Sequence, residues 1–339
     1  MQGSSIIPVV YIACHGRSGS TLVGSVLGLV EGYVYAGEIR EVWRDGLIGN
    51  HACGCGKKFR DCHFWSAVFE KAFGGFDTEE AKAATEKFNR IHKAPDAVAL
   101  LRQVWRFHRA TGASEEYTVP LGKLYRAIRD VSGASVIVDS SKSMRYAALL
   151  AATPGLDARI NNLIRDPRGI IYSERHRARH RDGSEKPASS SGRKTRLLRV
   201  IGKCAVRNWL AGRVMERDGG IRLVYEDFVR DQDWYLGEVA GAAAAERVSR
   251  RLAEGVGEEV VQHQIAGNWV RGLRIFSGEK WRTELPATTR ILAGLLAAPL
   301  RASYRSQSYG GRIPYLPSGP MGLLAGVPPK PRTDPARPS

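Results

Sequence analysis

The stretch Ile6–Ala13 (IIPVVYIA), followed at once by Cys14-His15-Gly16-Arg17-Ser18-Gly19-Ser20-Thr21, constrains this chain more than any other feature. An unbroken apolar run with several β-branched residues is the pattern of a strand buried on both faces, as in a parallel sheet. The turn that follows is rich in Gly and Ser and opens an apolar helix from about Thr21 to Val30. A strand, a glycine loop and a helix in that order leave free backbone N–H groups at the helix start, where an anion is stabilised. The hydroxyls of Ser20 and Thr21 add donors, and Arg17 adds a forked cation. A kinase-type phosphate loop, G-x-x-x-x-G-K-[ST], would carry Lys where Ser20 stands. Here the cation precedes the second glycine, which suits a phosphate with no γ-phosphate beyond it.

The alternation continues along the chain. Ala134–Val138 (ASVIV), Arg159–Ile164 (RINNLI) and Ile221–Val224 (IRLV) read as short buried strands ending at Asp139, Arg165 and Tyr225. Met144–Ala152 reads as a helix stopped by Pro154 and Gly155, and Pro167 suits the first turn of another. Strands alternating with helices predict an α/β fold, a parallel sheet with helices on both faces. Residues 77–130 add a mainly helical insertion, expected to cover one side of the site. Residues 182–196 (DGSEKPASSSGRKTR) read as a polar, mobile surface loop. Eight of the sixteen prolines fall from Pro314 onward, so one domain over 1–310 is expected, with a Pro-rich, disordered tail over 311–339.

Charge narrows the partners. Fifty-one Lys and Arg against thirty-four Asp and Glu give a net charge of +17, which favours anionic ligands. More than half of the excess lies between Arg165 and Arg207, where thirteen basic residues face four acidic ones. The run Arg175–Arg181 has no interleaved aromatics for base stacking, so it reads as steering a polyanionic ligand rather than binding nucleic acid. No run approaches the roughly 20 apolar residues of a membrane helix. The apolar start lacks the positive flank of a signal peptide, and five cysteines is an odd number that argues against a disulfide scaffold. The expectation is a cytoplasmic protein with no transmembrane segment; oligomeric state is not readable.

Two motifs carry a family resemblance. Arg17-Ser18-Gly19-Ser20-Thr21 resembles the [KR]-S-G-[TS]-T loop of the sulfotransferases that use 3′-phosphoadenosine 5′-phosphosulfate (PAPS), and Arg165-Asp166-Pro167-Arg168 resembles their strand-ending R-D-P-R. Ser173 lies eight residues after Arg165, the family's spacing. The resemblance implies a P-loop-like sulfotransferase fold of the bacterial type, covering roughly residues 8 to 310. It implies that Arg17, Ser18, Gly19, Ser20 and Thr21 hold the 5′-phosphosulfate and that Arg165 and Ser173 grip the 3′-phosphate. Tyr225-Glu226-Asp227-Phe228 is similar to a family segment whose Tyr lies near the nucleotide. Gly267-Asn268-Trp269-Val270-Arg271 resembles a late segment that would bring Arg271, or Arg274, to the 3′-phosphate.

Sulfuryl transfer to a hydroxyl needs a general base and charge stabilisation on the leaving phosphate. Glu38 in Gly37-Glu38-Ile39 resembles the base of tyrosylprotein and some carbohydrate sulfotransferases; His15 beside the anion loop is the competing base. In Asp139-Ser140-Ser141-Lys142 the resemblance implies a group touching the sulfuryl, with Lys142 favoured, while Asp139 and Ser140 also suit a helix N-cap. PAPS is thus expected as the donor, with no metal required, and a small-molecule, lipid or carbohydrate as the acceptor. The competing functions are a P-loop-type small-molecule kinase and a non-catalytic basic nucleic-acid-binding module. His51, Cys53, Cys55, Cys62 and His63 cluster in sequence, but C-x-C spacing is unusual for structural zinc. A disulfide or a packed loop is the expectation there, with Cys14 and Cys204 as buried thiols.

Overall fold

The computed structural model describes residues 6–93, 115–182, 190–257, 261–267, 273 and 278–305. Its centre is a five-stranded, all-parallel sheet in the order β2-β3-β1-β4-β5. The strands are β1 (Ile7–Cys14), β2 (Tyr33–Tyr35), β3 (Val136–Lys142), β4 (Leu156–Ile164) and β5 (Arg222–Val224). The apolar run that opens the chain forms the middle strand, which is why it is apolar throughout. Val9, Tyr11 and Ala13 enter the core on one face, and Val10, Ile12 and Cys14 enter the core on the other.

In chain order the helices are α1 (Ser20–Leu27), α2 (His63–Phe73), α3 (Glu79–Lys93), α4 (Glu115–Ser132), α5 (Met144–Ala151), α6 (Pro167–Asp182) and α7 (Ser190–Asp218). They continue with α8 (Tyr225–Arg230), α9 (Asp233–Ala240), α10 (Ala242–Glu254), α11 (Trp281–Glu284), α12 (Ala287–Leu296) and α13 (Ala298–Arg305). Buried side chains of α2, α3, α4 and α5 pack on one sheet face, among them Phe69, Phe88, Tyr125 and Leu150. Those of α1, α9 and α10 pack on the other, among them Val26, Leu236 and Val248. A third cluster joins Ile170 and Ile171 of α6, Cys204 of α7 and Trp281. No helix among the described residues is long and apolar enough to cross a membrane.

Three details differ from the sequence reading. The edge strand β2 is only three residues long and its alternation is too short to see. Strand β3 runs past Asp139 to Lys142, so Asp139 and Ser140 do not cap a helix; Ser143 does, accepting from the Tyr146 amide. The part of 182–196 expected as a loop is helical from Ser190, where α7 begins, while 183–189 lie outside the described residues. Residues 94–114 of the helical insertion and the tail over 311–339 lie outside the described residues.

The connections explain where a ligand belongs. The chain leaves β1 toward the β2 side, returns to β3, then passes β1 to reach β4 on its other flank. Ligands of open α/β sheets bind beyond the strand C-termini at such a reversal. Cys14 of β1 is in register with Leu163 of β4, so the glycine loop and Arg165 emerge side by side.

Candidate active site

A cleft of about 470 Å³ opens at this reversal, within the range of small-molecule sites. Arg17, Gly19, Ser20, Thr21, Glu38, Lys142, Arg165, Ser173 and Tyr225 all line it. These residues come from loops or elements spread over more than two hundred positions, and the fold brings them together. Ser18 is 1% exposed and its side chain faces inward rather than into the cleft. His15 is also absent from the lining. Its Nδ1 lies 2.7 Å from the Gly16 carbonyl, and burial pushes the imidazole down to about 4. Arg271 lies outside the described residues.

One wall is a linked set of cations and hydroxyls. Arg17, at φ 69°, donates from Nε to Ser173 Oγ at 2.9 Å. Arg165 donates from Nη1 to the Arg17 carbonyl at 2.9 Å and from Nη2 to the Gly278 carbonyl at 3.3 Å. Its guanidinium lies 4.3 Å over the Tyr225 ring, a placement in which the ring face attracts the cation. Asp166 does not pair with Arg165. It chelates Arg168, which in turn covers Trp281 at 4.1 Å, so Arg165 keeps its charge for the cleft. Gly19 must be glycine: at φ 93° a Cβ would sit 2.2 Å from the Tyr225 ring. The ring therefore closes directly on the anion loop.

The opposite wall carries the candidate base. Glu38 Oε1 forms an ion pair with Lys142 Nζ, both side chains being largely buried. Arg40 pairs instead with Glu41, at 2.7 Å. Lys142 takes a left-handed conformation, φ 65°, where the β1–β3 register shifts. A non-glycine residue in that region costs about 1 kcal/mol or more and persists only where its surroundings over-determine it.

Asp139 is the fastening. Fully buried, it accepts from the amides of Ile39 (3.3 Å) and Ser141 (2.8 Å), from Ser141 Oγ and from Tyr125 OH at 2.6 Å. The Arg40 amide donates to Ser141 Oγ at 3.0 Å. Asp139 thus ties the turn bearing Glu38 to the strand end bearing Lys142. Burial raises its carboxyl to about 6, against the pull of these donors.

Of the other lining residues, Gly267 belongs to the late segment singled out in the sequence, while Glu41, Arg44, Asp45 and Ala266 were invisible there. Glu41, Arg44 and Asp45 come from a 3-10 turn (Ile39–Val42) that runs into a π-helical turn (Trp43–Ile48). Such irregular turns cluster at functional sites, but no residue pattern announced this one. Ala266 and Gly267 come from the segment 261–267, where Ile265 accepts from the Glu38 amide at 2.9 Å and donates to the Ala36 carbonyl at 3.0 Å. Within the described parts of 77–130, no residue lines the cleft.

All five cysteines are free thiols, so the disulfide expected in the Cys53–Cys62 region is not formed. The Sγ atoms of Cys55 and Cys62 lie 3.7 Å apart, beyond bonding distance.

No family model matches the chain, and no curated protein does. Among solved structures it is similar to the sulfotransferase domain from the curacin biosynthetic pathway, at 14% identity and a TM-score of 0.43, over 88% of this chain and 98% of that one. It is similar to the sulfotransferase domain from the Synechococcus PCC 7002 olefin synthase, at 17% identity and a TM-score of 0.44, over 89% of this chain and 97% of that one. It is also similar to sulfotransferase STF9 from Mycobacterium avium, at 13% identity and a TM-score of 0.40, over 88% of this chain and 77% of that one. At these levels of similarity the functional reading rests on the chain's own residues.

Proposed function

We propose that this protein transfers a sulfuryl group from PAPS to a hydroxyl of a small-molecule, lipid or carbohydrate acceptor. The observation that carries the reading is the meeting of Arg17 and Arg165 in one cleft, through the 2.9 Å bond from Arg165 to the Arg17 carbonyl and the 2.9 Å bond from Arg17 to Ser173. A donor with phosphates at both ends of an adenosine calls for two such groups of cations and hydroxyls within one ligand length. The cradle also fits an anion: Ser20 begins α1 without an acidic residue in its first turn, and Gly19 lets the backbone approach.

The roles follow from position. Arg17, Ser20, Thr21 and the amides at the start of α1 hold the 5′-phosphate and stabilise the charge that grows on it as the sulfuryl group departs. Arg165 and Ser173 hold the 3′-phosphate, with Tyr225 packed beneath. Lys142, paired with Glu38 and lining the same cleft as the anion loop, orients the carboxylate and offsets charge on the moving group. Glu38 accepts the proton of the acceptor hydroxyl as its oxygen attacks sulfur. PAPS supplies the activated sulfate.

Calorimetry tests the reading. Adenosine 3′,5′-bisphosphate is expected to bind the wild type in the micromolar range or tighter and to bind Arg165→Ala at least tenfold more weakly. Tight, magnesium-dependent binding of ATP with none of the bisphosphate would instead support a kinase. Salt-sensitive RNA binding alone would support a nucleic-acid module.

A further inference from the structure

We propose that Cys53, Cys55, Cys62 and His263 form a closed, four-ligand site for one divalent ion of the zinc class, and that this ion buttresses the wall of the cleft. The proposal stands independently of the reaction the cleft performs. The donor atoms of these four residues all lie within 4.8 Å of one another. Cys62 Sγ is 3.3 Å from His263 Nδ1, Cys53 Sγ is 3.9 Å from the same nitrogen, and Cys55 Sγ is 3.7 Å from Cys62 Sγ.

Those separations are the edges of a small tetrahedron. Zinc bonds of about 2.3 Å to sulfur and about 2.0 Å to nitrogen give tetrahedral edges of roughly 3.8 Å between sulfurs and roughly 3.6 Å from sulfur to nitrogen. Four donors this close leave room for a single ion and none for an iron–sulfur cluster. Three thiolates and an imidazole suit zinc, and with all four positions taken by protein the site is structural rather than catalytic.

The surroundings are built to hold the donors. Cys53-Gly54-Cys55-Gly56 makes a tight turn, with the Gly56 amide donating to the Cys53 carbonyl at 2.8 Å. A Cβ on Gly54 would lie 2.2 Å from the Gln262 carbonyl, so this glycine admits the second strand of chain. The His263 ring is stacked on Phe64, with centroids 5.0 Å apart, and is met edge-on by His63 at 4.7 Å. Trp65 Nε1 donates to the His263 carbonyl at 2.9 Å. Cys53 and Cys62 are fully buried, Cys55 and His263 half-buried.

The consequence reaches the cleft. His263 is two residues before Ile265, whose backbone exchanges hydrogen bonds with Ala36 and Glu38, and four before Gly267, which lines the cleft against Thr21. An ion joining residues 53–62 to residue 263 would anchor this segment from its outer side, as the Gly54 amide to Gln264 carbonyl bond (2.9 Å) does in part.

The test is elemental analysis of the full chain, purified without chelator or added metal. About one zinc per chain is expected, with loss to below a tenth in Cys62→Ser and in His263→Ala. His263→Cys, which keeps four ligands, should retain the ion and guards against a variant that merely misfolds. Replacement of zinc by Co2+ should give thiolate charge-transfer bands and the intense visible bands of a tetrahedral ion. Iodoacetamide should alkylate Cys55 only after a chelator is added. Wild-type protein that holds no stoichiometric metal and gives no thiolate bands with Co2+, or that carries a Cys55–Cys62 disulfide on peptide mapping, overturns the proposal.

Discussion

The two walls of the cleft are held in place by different means. The wall of Arg17, Ser20, Thr21, Arg165, Ser173 and Tyr225 grows from the ends of the adjacent strands β1, β4 and β5 and from the helices that follow them. Its groups are fixed by the sheet ladder a few residues away. The wall of Glu38, Glu41, Arg44, Asp45, Lys142 and Gly267 is irregular backbone: short turns, a left-handed lysine and a segment paired at one isolated bridge, Gly37 to Ile265. It is only as rigid as its fastenings, which are Asp139, Ser141 and the Cys/His corner. The difference separates two functions. On the proposed reading, the sheet-borne wall sets donor affinity, and the fastened wall sets the placement of the base and hence turnover.

The comparison breaks most sharply at Glu38. Glu38→Gln keeps the shape of the residue and removes the proton acceptor, so kcat should fall about 10²–10⁴-fold. The dissociation constant of adenosine 3′,5′-bisphosphate should stay within about twofold, since the donor wall is untouched. Single-turnover assays with labelled PAPS and an accepted hydroxyl substrate measure the first quantity, calorimetry the second. Full turnover in Glu38→Gln would remove it as the base.

Arg165→Ala should do the reverse. Loss of a buried cation that holds the Arg17 carbonyl and faces an anion costs about 2–4 kcal/mol of donor affinity, or roughly 30-fold to 900-fold. Saturating donor should recover a large part of kcat. If kcat fell instead at unchanged affinity, the two walls would not divide the work as argued.

The third test concerns stability and uses two buried titratable groups of opposite sign. His15 titrates at 6.5 when unfolded and at about 4 when folded, so between these values only the unfolded chain takes up the proton. Stability is therefore lost as pH falls through that window. Asp139 titrates at 3.8 when unfolded and at about 6 when folded, so there the folded chain holds the extra proton. Stability is lost as pH rises through its window. Each group contributes about 3 kcal/mol across its range, and in the wild type the two nearly cancel. Urea unfolding at a series of pH values between 4 and 7 should show Asp139→Asn losing ground to the wild type on acidification and His15→Asn gaining on it. Two difference curves of the same sign would mean that burial does not govern these groups.

The same division explains what could be read from the sequence. Cys14–Thr21 and Arg165–Ser173 are each contiguous, because a strand, its loop and the next helix place neighbouring residues at one strand end. Strands β1, β3, β4 and β5 and the helices starting near Thr21, Met144 and Pro167 were legible for the same reason. Of the fastened wall, Glu38, Lys142 and Gly267 were singled out only through the family resemblance, and their pairing was not legible. The Glu38–Lys142 pair spans 104 positions, and His263 joins cysteines some two hundred residues earlier. Nothing local in the sequence pairs such residues. His51 and His63 are nearer the cysteines in sequence, yet the fold brings His263 to the thiols. The left-handed Lys142 and the π turn have no composition signal either, since both are imposed by tertiary contacts.

The smallest expected effect is also the most direct probe of contact between the walls. Gly267 stands at φ 88°, and a Cβ there would meet Thr21 Oγ1 at 3.0 Å. Gly267→Ala carries a conformational cost of about 1–2 kcal/mol and pushes against a hydroxyl of the anion loop. Gly133→Ala shares the positive φ, 68°, in open space. Both variants should therefore lose similar stability in urea unfolding. Only Gly267→Ala should also weaken adenosine 3′,5′-bisphosphate, by about threefold to tenfold, because Thr21 must give way. If Thr21 does not reach the donor, the two variants will bind it equally, and the fastened wall then influences the sheet-borne wall only through the shape of the acceptor space.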